Sequence, residues 1–338
     1  MEMIFFRFRA VILVFFFFFF GCGRIQANSS SSLNSGFTHS MGGPVDPEGS
    51  CDSGSKSASV FRNIRYQILA GSEVAQQSLD VYTPATSRPC EKVPVVIWVH
   101  GGWYFSGDKS EIGNKANFYN SLGYVFVSIN YRLSLEPEHA PTSESRYAFF
   151  PDQPNDLGAA VAWVRRNIEK YGGNPESIAL AGHEAGAHLV ALVSTNQNYL
   201  KRADPTWNSR FLKCTGSYDT DAYDIPAFLY SNPIPPDSFQ IFVYLVSIGE
   251  HNYFAASPIN HVSLEVPNFQ FVRRENKLRR DILMKFSDSL ERAGAKTRII
   301  DGSKLEDDAV NDSIGTTDDK TMTPAVKDFM KTLCFPEN

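Results

Sequence analysis

Histidine and cysteine are scarce in this 338-residue chain, which has seven of the first and five of the second. No cysteine pair has CxxC spacing or a nearby histidine, so neither a thiol catalyst nor a metal site is expected, and no cofactor is implied. Charge asymmetry is lacking too. Acidic and basic residues number 37 and 32, for a net charge of -5. No nucleic-acid partner is expected, and no anionic membrane surface. The longest apolar run, Ala10 to Phe20, falls well short of the ~20 residues needed to cross a bilayer as a helix.

That run follows Arg7 and Arg9, the pattern of a secretory signal. Cleavage after Ala27 would release residues 28 onward; cleavage before Cys22 would leave a lipid anchor there, the one membrane attachment this reading offers. An uncleaved anchor is the third alternative. In every case the expected location is secreted or extracytoplasmic, where disulfides survive. Cys51, Cys90, Cys214 and Cys334 then form an even set whose pairing is open. Asn28 and Asn311 head glycosylation sequons, which matter only in a eukaryotic cell.

Residues 28–58 are rich in Ser, Gly, Pro and Asn and poor in apolar residues, so they are read as a flexible linker. A single folded domain is expected over 59–338. Within it Leu79–Tyr82, Val93–His100, Tyr124–Tyr131, Ile178–Ala181, Phe269–Val272 and Thr297–Ile300 read as strands. Helices are expected between Pro154 and Gly172, over Ala187–Ser194, and along the face of Leu278, Ile282, Phe286 and Leu290. A last helix is expected with Thr323 as cap, Pro324 in its first turn and Val326, Phe329 and Leu333 inward. Alternating strands and helices predict an α/β fold.

Two motifs carry chemistry. His100-Gly101-Gly102 ends an apolar strand, where glycines let backbone N–H groups turn toward a ligand. Gly182-His183-Glu184-Ala185-Gly186 lies between a strand and a helix, the setting of a nucleophile elbow. Their order and separation of about eighty residues reinforce each other. With Leu79-Asp-Val-Tyr, Gly107-Asp-Lys, Asn130-Tyr-Arg-Leu, Ala162-Trp-Val-Arg, Tyr171-Gly-Gly-Asn-Pro, Ala185-Gly-Ala-His-Leu and Ser257-Pro-Ile-Asn-His-Val, the chain resembles the α/β-hydrolases of the hormone-sensitive-lipase and feruloyl-esterase-like branch, which includes kynurenine formamidases.

The resemblance implies a mostly parallel eight-stranded sheet with helices on both faces. It implies an oxyanion hole from Gly101, Gly102 and Ala185, with a pocket at His100, Trp103, Tyr104 and His183. It also exposes departures. Glu184 stands where relatives carry the nucleophilic serine. The acid position aligns near Arg274, Glu275 and Asn276, where only Glu275 is a partial replacement. The histidine position falls near Asp307, and no histidine follows His261. Relatives also usually carry tryptophan where Tyr104 stands.

Without serine and histidine the triad's proton shuttle cannot run. Glu184 is expected to reach into the oxyanion hole, with the N–H groups and helix terminus keeping it ionised against the effect of burial. His183 and His188 are expected to be structural, and Glu306, Asp307 and Asp308 a solvated loop. The expected function is a binding or interaction module built on an inactive esterase fold, for an unidentified small molecule or protein. One alternative is a lyase, isomerase or cyclase using Glu184 as acid or base with Tyr104 or Asp307. The other is a carboxylesterase or arylformamidase-like hydrolase with a rearranged site.

Overall fold

The computed structural model describes residues 58–69, 75–85, 92–134, 147–231, 243–244, 247–274 and 276–336, with the backbone alone at Asp307. The chain divides into two units, residues 1–49 and 50–338, and every described residue belongs to the second. The signal and lipid-anchor readings, the linker up to residue 57, Cys22, Cys51, Cys90 and Glu275 lie outside the described residues.

Eight strands form one sheet: β1 (Ser59–Arg65), β2 (Ser78–Thr83), β3 (Val93–Val99), β4 (Val125–Ile129), β5 (Gly173–His183), β6 (Leu212–Tyr218), β7 (Asn268–Arg273) and β8 (Thr297–Asp301). Their order is β1-β2-β4-β3-β5-β6-β7-β8. β2 pairs antiparallel with β1 and with β4, and every other pairing is parallel. Among the described residues the α-helices are α1 (Lys115–Ser121), α2 (Asp152–Asn167), α3 (Ala185–Thr195), α4 (Asn198–Ala203), α5 (Ile225–Leu229), α6 (Tyr253–Ala256), α7 (Lys277–Arg292), α8 (Asp307–Asp312) and α9 (Met322–Phe329). The expected α/β architecture, a mostly parallel eight-stranded sheet with helices on both faces, is the observed one.

Successive side chains of a strand point to opposite faces, and parallel strands are covered on both. β3 shows the result. Val95, Ile97 and Val99 pack with Leu157, Val161, Leu189 and Phe286 of α2, α3 and α7 in one layer. Val96 and Trp98 pack with Tyr119, Val326 and Phe329 of α1 and α9 in the other.

Several expectations need correction. β1 and β6 were not anticipated, and β5 begins five residues before Ile178, where Gly173 pairs with Val93. Thr323 is not the cap of α9; Thr321 is. The Thr323 hydroxyl instead accepts from Gly315 N at 2.9 Å and donates to Ser313 O at 2.8 Å, while the Asp319 carboxylate accepts from Thr321 N and Thr323 N. The acid thus satisfies the free N–H groups that the cap was expected to take. Of the four cysteines left open, Cys214 of β6 and Cys334, just beyond α9, form a disulfide 120 residues apart in sequence.

The short motifs become one polar support beneath the loop after β3. Lys109 Nζ meets Asp80 at 2.7 Å, Asn130 accepts from Lys109 N at 2.5 Å, and the Asn130 amide donates to Asp108 at 2.7 Å. Next to it Arg132 forks onto Asp156, Nε at 2.8 Å and Nη2 at 2.9 Å. Buried charges persist only when paired in this way.

Candidate active site

β5 ends in the elbow Gly182–Gly186, and α3 starts from it. Glu184 has φ 51° and ψ -113°, a conformation that an L-residue holds only where its surroundings enforce it. They do so here through the flanking glycines. A Cβ on Gly182 would sit 2.6 Å from the Gly186 carbonyl, and one on Gly186 would sit 2.2 Å from the Val99 carbonyl oxygen. Glu184 N donates to Tyr218 O at 3.0 Å, and Glu184 O accepts from His188 N at 3.0 Å, tying the elbow to β6 and α3.

Opposite the elbow, Gly102, Trp103 and Tyr104 all have positive φ, at 104°, 54° and 70°. Consecutive residues in this region turn neighbouring N–H groups into one concave anion site. Glu184 occupies it. Its Oε2 accepts from Gly102 N at 2.8 Å and from Trp103 N at 3.4 Å. Of the residues expected to form the hole, Gly102 donates. Gly101 provides the close approach, since a Cβ there would lie 2.8 Å from Oε2, and Ala185 opens α3. Trp103, read as a pocket residue, contributes its backbone as the second donor.

The charge state differs from expectation. Burial outweighs the two N–H donors, and Asp219 and Asp221 add to it, so the Glu184 carboxyl is pushed up to about 7. Its Oε1 is buried with no hydrogen-bond partner among the described residues. Half-neutral at pH 7, the group is matched to giving or taking a proton.

Burial also holds His100, His183 and His188 down at about 4, so all three are neutral. The ring of His100 stacks on Tyr131 at 4.4 Å, and its Nδ1 donates to Gly101 O at 2.7 Å. His188 Nε2 donates to Ala256 O at 2.6 Å, which leaves Nδ1 to accept from the Tyr104 hydroxyl at 2.8 Å. Tyr104→Phe will strand that buried acceptor and cost about 1–2 kcal/mol in urea unfolding.

Two acids emerge that sequence reasoning missed. Asp219 and Asp221 follow β6, are 7% and 5% exposed, and both act on Glu184. Asp219 is gripped by Arg274 Nη1 at 2.8 Å and Arg279 Nη2 at 2.9 Å. Arg279 Nε lies 3.8 Å from Asp221, which also accepts from the Tyr244 hydroxyl. So Arg274, placed by the sequence near the acid position, binds an acid supplied by the preceding strand. Recognising β6 would have revealed the pair. Glu306 and Asp308 are exposed around the start of α8, and no group of His, Cys, Asp or Glu suited to a metal occurs among the described residues.

A parallel-centred sheet, a strand–elbow–helix turn and an oxyanion-type loop facing it define the α/β-hydrolase fold. The BD-FAE family model matches residues 79–211, from β2 through the elbow to the approach to β6. Esterase LipQ of Mycobacterium tuberculosis is 31% identical over 201 residues, covering 56% of this chain and 44% of that protein. Mouse carboxylesterase 5A is 34% identical over 142 residues, covering 39% and 23%. The chain spans less than half the length of these curated relatives. Esterase B from Lactobacillus rhamnosis superposes with a TM-score of 0.62 at 18% identity, over 82% of this chain and 85% of that one. Thermogutta terrifontis esterase 2, phosphonylated by sarin, gives 0.61 at 16% identity over 83% and 97%. The chain is thus similar over residues 79–211 to the BD-FAE family, and its fold is that of known esterases.

Proposed function

We propose that this esterase-family protein does not hydrolyse esters and serves as a binding or interaction module. One observation carries the reading: Glu184 Oε2 sits 2.8 Å from Gly102 N, where a reacting carbonyl oxygen would need to be. A substrate would have to displace a carboxyl group from the donors meant to stabilise its own transition state. The absence of any histidine after His261 supports the same conclusion, because nothing in the expected place can return a proton to a leaving group. We also propose that the protein is secreted or extracytoplasmic. The Cys214–Cys334 disulfide and the apolar run after Arg7 and Arg9 both support this.

A second reading is favoured by one feature, the near-neutral Glu184 carboxyl with an unpartnered Oε1. It is acid–base catalysis of a non-hydrolytic reaction, with Tyr104 close by. Assays with p-nitrophenyl acetate and butyrate test the first reading. The expected rate equals that of buffer and is the same for Glu184→Ala. Turnover by the wild type that vanishes in Glu184→Ala would overturn it.

A further inference from the structure

Beyond the elbow, the segments that follow β7 and β8 line an open cleft of about 300 Å³. Its lining includes Arg274, Asn276, Arg279, Ser303, Lys304 and Glu306. We propose that this cleft binds a compact anion, the carboxylate or phosphate group of a small molecule. The site goes beyond the reading of Glu184, since it stands on different residues and holds whether or not the elbow hydrolyses esters.

Among the described residues, one carboxylate, Glu306, and three cations line the cleft. Two of them are held rigidly from behind. Asp219, 7% exposed, grips Arg274 and Arg279 at 2.8 and 2.9 Å, yet about a fifth of each arginine side chain stays accessible, 20% and 21%. The Arg279 guanidinium, fixed in this way, presents its remaining donor with little further loss of freedom, and a guanidinium matches carboxylate and phosphate oxygens. Arg279 gives Nη2 to Asp219 and Nε to Asp221, so its bonding to the protein uses two of three nitrogens.

The third cation is of another kind. Lys304 is exposed and makes no ion pair among the described residues. Its loop is set by Ser303 N donating to Asp301 Oδ1 at 3.2 Å and Leu305 N donating to Gly302 O at 2.9 Å. The 16-residue helix α7 begins at the same cleft, with Asn276 capping Arg279 N at 3.1 Å, and its positive end favours an anion. The Arg279 fork, the Lys304 ammonium and a helix terminus converge on one cleft.

Calorimetric titration of the intact chain at pH 7 with succinate and, separately, with inorganic phosphate tests the site. Saturable binding of at least one probe is expected, weakened about tenfold or more by Lys304→Glu and lost in Arg279→Met. Preference for succinate identifies a carboxylate ligand, and preference for phosphate a phosphate ligand. Lys304 is exposed and unpaired, so its variant stays folded even if the Arg279 variant does not. Absence of saturable heat with both probes overturns the proposal, as does wild-type affinity in Lys304→Glu. Loss of binding in Glu184→Gln but not in Lys304→Glu would move the anion to the elbow and overturn it as well.

Discussion

Gly186→Ala is expected to destabilise the fold by about 3 kcal/mol or more, whereas Gly172→Ala will cost about 1 kcal/mol. The two glycines differ in what a methyl group meets. At Gly172, φ is 81° and nothing lies within 4 Å of the added carbon, so only left-handed strain is felt. At Gly186 the carbon would fall 2.2 Å from Val99 O, 2.5 Å from His100 O and 2.7 Å from Val99 C. All three are backbone atoms at the end of β3, the strand that carries the oxyanion-type loop. No rotamer change relieves such contacts, so α3 or β3 must move, and both lie in a close-packed interior. Chemical denaturation of the two variants beside the wild type is the check. A Gly186→Ala cost no larger than that of Gly172→Ala would mean that the elbow is looser than its geometry indicates.

Legibility followed local chemistry. β3 was readable because Val93 to Val99 is a continuous apolar run, the mark of a strand covered on both faces. β6 was not, because Leu212–Tyr218 carries Thr215, Gly216 and Ser217 in a buried position. Their polarity is satisfied only by partners from elsewhere in the chain. Thr215 Oγ1 bonds Ser194 Oγ at 2.6 Å, and Ser217 Oγ donates to Ala187 O at 2.9 Å. The same gap hid Asp219 and Asp221. Both lie immediately after an unrecognised strand, and their approach to Glu184 depends on β6 being next to β5 in the sheet. The elbow, by contrast, announced itself through two glycines in five residues. The charge of Glu184 was misjudged because adjacent N–H groups are visible in sequence, whereas the depth of its burial, the largest cause, and the smaller push of Asp219 and Asp221 arise only in the packed fold.

Glu184→Gln is expected to gain up to about 3 kcal/mol of stability over the wild type as pH rises from 4 to 8. A glutamate carboxyl has a pKa of 4.5 in the unfolded chain and about 7 in the folded one. Between those values the unfolded chain releases a proton that the folded chain keeps, so stability falls as pH rises, and the fall is complete above pH 7. Glutamine is neutral throughout and escapes it. The buried histidines act oppositely: His100, His183 and His188 drop from 6.5 to about 4, which adds stability between those values. They are present in both proteins and cancel in the difference. Tyr104 and Tyr131, whose hydroxyls burial keeps protonated, stay neutral across this range in both proteins. Any fixed cost of the glutamine amide beside the orphaned Oε1 position shifts the whole curve without tilting it. The tilt is therefore the signal, read from urea unfolding of both proteins at pH 4, 6 and 8. A difference independent of pH would mean that this carboxyl ionises freely, and the account of a buried group filling the space before Gly102 and Trp103 would fail with it.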